Sequence, residues 1–235
     1  MKLEYPIRIN KYLAQNNYST RVGADELIKK GLVFINGQKA ILGDKVCEGD
    51  EVTVNDKNIK KAYVYYAYHK AKNIVTNAPQ KGEKDIMMVT KFPTPVFPIG
   101  RLDKDSTGLL IITNDGRVTD RLLSPKYVHE KEYVVKLANA YSDLFLENMQ
   151  SGVRFDGYVS RKCKAWRKTN DTFHIILTEG KKRQIRRMCE ALHQEVKELK
   201  RIRVMNIQIG ALKPGEYREI KGQELKDFLS VLKLI

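Results

Sequence analysis

The residues best suited to chemistry lie in the Asp103 loop, residues 100–106, which leads directly into an apolar run. Asp103 follows Arg101 by two residues, and the large aliphatic residues 109–112 come next. Such a run, closed by the turn sequence Asn114-Asp115-Gly116, is typical of a buried strand. A carboxylate at the mouth of a core strand is easily oriented and partly desolvated, which suits a nucleophile or a general base. The alternative is a solvated turn with a surface ion pair.

A second candidate is the basic run at residues 181–187, which holds five cations in seven positions and opens a predicted helix. Arg186 is predicted to flank the apolar stripe of that helix, about 100° away from it. A buried arginine requires a carboxylate partner, and we expect that partner to be Asp103. Arg183 and Arg187, four residues apart, are expected to share a more exposed face. The alternative is a solvated basic face.

Tyr133 is a third candidate. It lies near the start of a predicted strand, and Lys131, Tyr133 and Val135 share one face because side chains alternate along a strand. A tyrosine there can stack on a nucleic acid base and offer its hydroxyl to a sugar or a carbonyl. The alternative is a tyrosine that only covers the edge of the core.

The charge balance indicates a polyanionic partner. The 235-residue chain has 43 lysines and arginines against 28 acidic residues, a formal net charge of +15. Such an excess is typical of a protein that binds nucleic acid or an anionic membrane surface. No run approaches the roughly 18 consecutive apolar residues of a membrane span, and the N-terminus has no apolar signal region. We therefore expect a nucleic acid partner, no membrane association and a cytoplasmic location.

Cysteine and histidine usage predicts no metal site. The three cysteines and four histidines are spread along the chain without a C-x-x-C pair and without the spacings of metal ligands. Free reduced thiols also fit a cytosolic protein.

The apolar pattern predicts an α+β fold in two domains. Residues 1–57 are expected to form a small α/β module in which a strand ends at an Asn36-Gly37 turn. A polar linker at about residues 57–61 leads to a second domain at residues 62–235. The cations of the module that are expected to face phosphates are Arg8, Lys11, Arg21, Lys29 and Lys30.

In the second domain, strands are predicted at residues 64–69, 109–113, 133–137 and 173–178. Three helices are predicted there: one capped by Ser142, one over residues 185–192 and one over residues 225–232.

Three ordered motifs resemble those of a known family. Gly100-Arg101-Leu102-Asp103, followed by Thr107-Gly108-Leu109-Leu110, resembles the catalytic motif of the bacterial pseudouridine synthases named for RsuA, RluB, RluE and RluF. Lys131-x-Tyr133 is similar to the second motif of that family, and residues 180–188 are similar to the third. Residues 7–56 resemble the small RNA-binding module, first seen in a ribosomal protein of the small subunit, that precedes the catalytic domain in these enzymes.

The resemblance implies an isomerase that converts a specific uridine of RNA to pseudouridine. It implies a catalytic domain with a mainly antiparallel mixed sheet flanked by helices. It also implies that no nicotinamide, flavin or metal is needed, because the reaction involves no redox change. Finer features at residues 96–106, 129–133 and 203–206 indicate the RluF type, which acts on 23S rRNA near the peptidyl transferase centre. Transfer RNA is a further candidate substrate, and we expect a monomer.

The resemblance also assigns roles to single residues. Asp103 is the essential nucleophile, Tyr133 stacks on the flipped uracil, and Arg186 pairs with Asp103 and keeps it ionised. Arg101 fills the gap left by the flipped nucleotide. Whether Asp103 attacks the ribose or the base stays open. The residues expected to bind phosphates are Lys181, Lys182, Arg183 and Arg187.

The sequence departs from the family pattern before the Asp103 loop. Where the family usually has Lys-Pro-x-Gly, this chain has Lys70-Ala71-Lys72-Asn73, so the lysine is kept and the turn residues differ. The sequence leaves the conformation of this turn open.

Two other functions fit parts of the sequence. A metal-dependent nuclease would need Asp103, Asp105 and Asp115 to converge. The predicted strand, however, separates Asp115 from the Asp103 loop by about 16 Å. A catalytically silent assembly factor would use both domains only to bind rRNA.

Overall fold

The computed structural model describes residues 5–16, 18–56 and 63–235. The predicted linker at residues 57–61 lies outside these described residues. Within them, no helix is both long enough and apolar enough to cross a membrane.

The N-terminal module combines two helices with short strands. In chain order its elements are β1 (Ile7–Arg8), α1 (Ile9–Gln15), α2 (Arg21–Lys29), β2 (Val33–Ile35), β3 (Gln38–Lys39), β4 (Lys45–Val46) and β5 (Val52–Val54). The Thr20 hydroxyl accepts a hydrogen bond from the Gly23 amide at 3.1 Å and so caps α2. Asn36 and Gly37 both have positive φ angles, 51° and 78°, as a two-residue hairpin turn requires. The two predicted helices and the predicted turn are confirmed.

The rest of the described chain is built on a nine-stranded sheet. Its strand order is β12-β13-β9-β14-β8-β6-β16, with β7 added beside β8 and β15 beside β14. The β14–β8 pair is parallel, whereas the other neighbouring strands are antiparallel. The predicted α+β class with a mainly antiparallel mixed sheet is confirmed. The strands after the N-terminal module are β6 (Tyr65–Lys70), β7 (Phe97–Ile99), β8 (Thr107–Thr113), β9 (Lys131–Leu137), β10 (Arg154–Phe155), β11 (Tyr158–Val159), β12 (Lys164–Arg167), β13 (Thr172–Leu177), β14 (Val196–Val204), β15 (Ile207–Gln208) and β16 (Tyr217–Glu219).

Helices cover both faces of this sheet. They are α3 (Ile86–Val89), α4 (Arg117–Leu123), α5 (Asp143–Ser151), α6 (Gln184–Ala191) and α7 (Gly222–Val231). One apolar cluster joins α5 and α6 to Leu110 and Ile112 of β8, and a second joins α4 and α7 to Leu109 and Ile111. The unbroken aliphatic run of β8 follows from this arrangement, because alternate side chains enter cores on opposite faces.

The sheet forks at Gly108. One edge of β8 pairs with β6 over six residues, while the other edge is shared by two strands. β14 pairs with Thr107 and Gly108, whereas β7 pairs with residues 111–113. A Cβ atom at Gly108 would lie 2.2 Å from the carbonyl oxygen of Arg201, so this close approach of two backbones requires glycine. The Asp103 loop connects β7 to β8 and therefore lies at the fork.

The helix predicted over residues 185–192 is confirmed, but the helical face predicted to be shared by Arg183 and Arg187 is wrong. Helix α6 begins at Gln184, and Lys181–Arg183 precede it. Arg183 has a φ angle of 53° and occupies the N-cap position, so it does not share a helical face with Arg187. Cations inside the first turn would oppose the helix dipole. Because α6 begins at Gln184, three of the five cations of the basic run lie before the helix.

Candidate active site

The backbone of the Asp103 loop is fixed by a buried threonine. The Thr76 hydroxyl donates to the carbonyl oxygen of Leu102 at 2.9 Å, and the Leu102 amide donates to the Thr76 hydroxyl at 3.0 Å. The Ser106 amide donates to the carbonyl oxygen of Asp103 at 3.1 Å, which closes a turn. Asp103 is half-buried. Its carboxylate is therefore carried by a backbone that is hydrogen-bonded on both sides.

The side chain of Lys70 also supports the Asp103 loop. It is 0% exposed, and its Nζ donates to the carbonyl oxygens of Ala71 at 2.9 Å, Ile74 at 2.6 Å and Lys104 at 3.3 Å. Burial lowers the pKa of Lys70 to about 8, and the charges of the two loop carboxylates oppose that shift. The lysine that the chain shares with the family pattern thus binds the loop through backbone oxygens.

The conformation of Asn73 explains how this chain forms the turn although its turn residues differ from the family pattern. It has a φ angle of 67°, and its amide donates to the carbonyl oxygen of Lys104 at 2.8 Å. Asparagine adopts this left-handed conformation more readily than other non-glycine residues. The chain therefore makes a left-handed turn at the position where the family usually has glycine, and the turn still binds the Asp103 loop.

The predicted pairing of Arg186 with Asp103 is wrong. Arg186 Nη2 lies 3.2 Å from Oδ2 of Asp105, and Nη1 donates to the carbonyl oxygen of Val196 at 2.9 Å. Asp105 also accepts two hydrogen bonds from Arg183, at 3.2 and 3.3 Å. These arginines lower the pKa of Asp105, against the opposing effect of its burial. The turn after Asp103 brings Asp105 to the start of α6, and Asp105 takes the place that the sequence assigned to Asp103.

Tyr133 lies on the sheet face that the alternation predicted. It is 9% exposed and belongs to the same apolar cluster as Leu102, the residue before Asp103. In the sheet it lies opposite Ile175 on one side and Arg201 on the other. Among the described residues its hydroxyl has no hydrogen-bond partner.

The buried Arg201 and the half-buried Lys131, two cations on this face, were not singled out as site residues in the sequence. Arg201 is 5% exposed, and its Nε donates to the carbonyl oxygen of Leu109 at 2.7 Å, where β14 leaves β8. Burial, together with the charge of Arg201, lowers the pKa of Lys131 to about 8. Neither cation forms an ion pair with a carboxylate in the described ranges. Lys131 was quoted only as part of a motif. Arg201 carries no local signal, because its burial depends on the fork.

The remaining predicted RNA-binding residues differ in their surroundings. Arg187 forms an ion pair with Asp156 and lies over the Phe155 ring, so it is not a free cation. Arg183 is exposed but paired with Asp105. The exposed cations of the predicted set are Arg101, Lys181, Lys182, Arg8, Lys11, Arg21, Lys29 and Lys30.

A cleft of about 1290 Å³ lies between the N-terminal module and the second domain. Lys11 and Arg21 line it from the module, and Arg121 and Lys126 line it from the segment around α4. Both of the latter cations lie beside the ring of Tyr127, at 5.4 and 4.7 Å from its centroid. This cleft has basic walls on two sides.

The carboxylates required by a nuclease do not converge. Asp115 is fully buried at the far end of β8, where it pairs with Arg117 at 2.8 Å and accepts a hydrogen bond from the Tyr65 hydroxyl at 2.7 Å. Across the described part of the chain, no three His, Cys, Asp or Glu side chains gather where they could hold a metal ion.

Comparisons with known proteins agree with this arrangement. A family profile described as RNA pseudouridylate synthase matches residues 64–191, and one described as S4 domain matches residues 7–52. The chain is 39% identical over 231 residues to the dual-specificity RNA pseudouridine synthase RluF of Escherichia coli strain K12, which covers 96% of this chain and 79% of that protein. It is 34% identical over 232 residues to the ribosomal large subunit pseudouridine synthase B of Bacillus subtilis strain 168, covering 93% and 94%.

The fold is also found among solved structures. The crystal structure of a pseudouridylate synthase matches with a TM-score of 0.69 and 26% sequence identity, over 96% of this chain and 99% of that one.

Proposed function

The chain belongs to the RNA pseudouridylate synthase family and isomerises uridine in RNA to pseudouridine, and from this premise we propose that Asp103 is its catalytic nucleophile. The observation that carries the assignment is the pair of Thr76 hydrogen bonds to Leu102, which hold the backbone next to Asp103. A carboxylate held in this way meets the requirement for a nucleophile that must be aligned with one carbon atom.

The reaction needs the target uridine outside its stack. Enzymes that act on a base turn the nucleotide out of the helix, and we assign Arg101, which is exposed, to the space that the nucleotide leaves. Tyr133 would stack on the uracil. The bond from C1′ to N1 then breaks, the uracil turns, and C1′ bonds to C5. The proton of C5 is lost and N1 gains one, so no electrons are exchanged. Asp103 attacks either the ribose or the base.

The cations around the loop favour the approach of RNA. Lys70, Arg183 and Arg186 outnumber the carboxylates of Asp103 and Asp105, so the net charge there is positive. We assign phosphate binding to the exposed Lys181 and Lys182 and to Arg183, whose guanidinium has donors beyond the two that Asp105 accepts. Arg187 would contribute once its partner Asp156 is displaced.

We propose 23S rRNA near the peptidyl transferase centre as the substrate, with tRNA as a second candidate. The names of two relatives, ribosomal large subunit pseudouridine synthase B and dual-specificity RNA pseudouridine synthase, support this choice. We further propose that residues 1–57 form an RNA-binding module that acts through its basic helices. The cleft between this module and Arg121 would guide the RNA backbone towards the Asp103 loop.

Pseudouridine mapping tests this function. Total rRNA and tRNA are compared from cells with the gene, without it, and with Asp103→Asn in its place. We expect one pseudouridine of 23S rRNA to disappear without the gene and to return with the wild-type chain only. Return with Asp103→Asn would overturn the nucleophile assignment. An unchanged pseudouridine map with accumulated ribosome precursors would favour the silent assembly factor.

Two further assignments need separate measurements. We propose that the enzyme is a monomer and acts in the cytoplasm, together with its ribosomal substrate. Sedimentation of the purified protein at assay concentration tests the first, and cell fractionation tests the second.

A further inference from the structure

We propose that Asp105 is a positioning residue for the isomerisation, because its carboxylate holds the guanidinium groups of Arg183 and Arg186 against the Asp103 loop. This inference rests on the proposed role of Asp103. It assigns a function to a carboxylate that lies two residues beyond the proposed nucleophile and that does not itself touch the reacting atoms.

The first observation is that one carboxylate binds α6 at two points. Asp105 accepts hydrogen bonds from Nη1 and Nη2 of Arg183 at 3.2 and 3.3 Å, and its Oδ2 lies 3.2 Å from Nη2 of Arg186. Arg183 precedes the helix, and Arg186 lies in its first turn. The Asp103 loop and the start of α6 are therefore joined by charge and not by the sheet.

The second observation is that Arg186 depends on Asp105 for its counter-charge. The Arg186 side chain is 12% exposed, and its Nε and Nη2 make no hydrogen bond within the described residues. Its Nη1 donates to Val196, a neutral partner. A buried guanidinium that loses its carboxylate pays a desolvation penalty, so it moves or draws in another anion. The other carboxylate of the loop is Asp103, and Glu190, Glu195 and Glu198 line the same cleft as Arg186.

The third observation is the backbone of Arg183. Its φ angle of 53° is uncommon for a residue with a Cβ atom. Such conformations persist where the surroundings over-determine them. The double hydrogen bond to Asp105 is one constraint on Arg183, and the bond from the Arg187 amide to the Arg183 carbonyl at 3.0 Å is another.

The fourth observation is that Asp105 is unfavourable for RNA binding. Its side chain is 39% exposed on a surface with many exposed cations, and a carboxylate there repels phosphates. The exposed lysines that lie near Asp105 in sequence, near Arg183 in sequence, or in the cleft that these two residues line together are Lys72, Lys104, Lys181, Lys182 and Lys197. An acid in this place weakens the attraction for RNA, so its contribution must be to the geometry of the loop.

These observations predict that affinity and rate respond in opposite directions. In Asp105→Asn the negative charge is lost and the side-chain shape is kept. Binding of a 23S rRNA fragment should stay equal or become tighter, because a repulsive charge is gone. The single-turnover rate at saturating RNA should fall about 10- to 100-fold, because Arg183 and Arg186 lose the carboxylate that holds them against the Asp103 loop. Asp105→Glu keeps the charge and should recover most of the rate.

The experiment measures single-turnover rate and RNA affinity for the wild type, Asp105→Asn, Asp105→Glu and Asp103→Asn. Asp227→Asn on α7 is the matched control, since it removes an exposed carboxylate whose hydrogen-bond partner among the described residues is Gln223. Circular dichroism and the melting temperature establish that each variant is folded.

The outcomes separate the two levels of the proposal. A wild-type chain that makes no pseudouridine refutes the proposed function itself. An active wild type with an unchanged rate in Asp105→Asn refutes the positioning role alone. A fall in rate accompanied by an equal loss of affinity, or by unfolding of both Asp105 variants, also overturns it, because a purely structural residue would behave in that way.

Discussion

The Asp103 loop and the N-terminal module treat polar side chains in opposite ways. Around the loop, Thr76 and Lys70 are buried and form hydrogen bonds with the backbone. Lys70 donates to carbonyl oxygens, and the Thr76 hydroxyl bonds to both a carbonyl oxygen and an amide. On the module, Lys11 and Arg21 are exposed and lie along a cleft. The difference fits the two tasks that we propose for these regions, catalysis by the loop and phosphate binding by the module. A nucleophile must stay within a fraction of an ångström of its position, whereas contacts to phosphates tolerate movement.

The largest effect should come from Asp103, the proposed nucleophile. Asp103→Asn keeps the shape of the side chain but cannot form the covalent bond, so we expect the single-turnover rate to fall on the order of 10³-fold or more. Because the exposed cations are untouched, affinity for an rRNA fragment should stay near that of the wild type. A rate close to that of the wild type would end the distinction between a reacting loop and a binding module.

The next effect concerns the support of the loop. Thr76→Val keeps the side-chain volume but leaves the buried Leu102 amide and carbonyl without their partner. We expect the free energy of unfolding to fall by about 1–3 kcal/mol. The rate at saturating RNA should fall about 10- to 100-fold. Denaturant titration and single-turnover assays measure both.

Thr169→Val, at an exposed threonine, is the control for this change. Equal rates for the two valine variants would mean that the Asp103 loop does not need the Thr76 hydrogen bonds for catalysis.

A smaller effect should appear as pH dependence of stability. Burial and the charge of Arg201 lower the pKa of Lys131 from 10.5 to about 8. Between these values the unfolded chain binds more protons, so stability rises with pH through this window, and the penalty is complete below about pH 8. In Lys131→Met the penalty is absent. The variant should be more stable than the wild type at pH 7, by at most about 3 kcal/mol, and this advantage should shrink towards pH 10.

Lys136→Met provides the matched comparison, because Lys136 lies on the same strand with an exposed side chain. Denaturant titrations at pH 7, 8, 9 and 10 give the difference between the variants. A constant advantage of Lys131→Met over this range would show that Lys131 is not desolvated.

The smallest effects should come from the module. Lys11→Ala and Arg21→Ala should each reduce the slope of log affinity against log salt by about one and leave the saturated rate unchanged. Lys226→Ala on α7 serves as the control, and affinity is measured at several salt concentrations. A reduced rate at saturating RNA would mean that the module helps to build the site.

Local sequence patterns predicted much of the fold. The run at residues 109–112 gave β8, Asn36-Gly37 gave the hairpin turn, and Ser142 caps α5 through a hydrogen bond from the Phe145 amide at 3.3 Å. Strands β12 and β14 were missed, because β12 has a single buried residue and two register shifts interrupt the alternation of buried positions in β14. Helices and turns depend on neighbours in sequence, and strands at a sheet edge or fork depend on distant partners.

Prediction of the site was limited in the same way, because contacts between residues that are distant in sequence leave no local pattern. The motifs predicted that Asp103, Tyr133 and Arg186 share one site. They did not identify the carboxylate that pairs with Arg186, because the choice between Asp103 and Asp105 depends on how the turn after Asp103 faces α6. Thr76 carries no signal at all, since its hydroxyl acts on a residue 26 positions away. Asn73 could be recognised only as a departure, and its φ angle explains why the turn is kept.

The fork at Gly108 has a mechanical consequence for the enzyme. Two residue pairs join β14 to β8, against six between β8 and β6, so few backbone hydrogen bonds hold the two parts of the sheet together at this joint. The half that carries Tyr133 and the half that carries β6 meet there. Changing Gly108 to alanine would place a methyl group against the backbone of Arg201 and force the two halves apart. If Tyr133 stacks on the uracil as proposed, the width of the space that receives the nucleotide depends on the absence of a single carbon atom at Gly108.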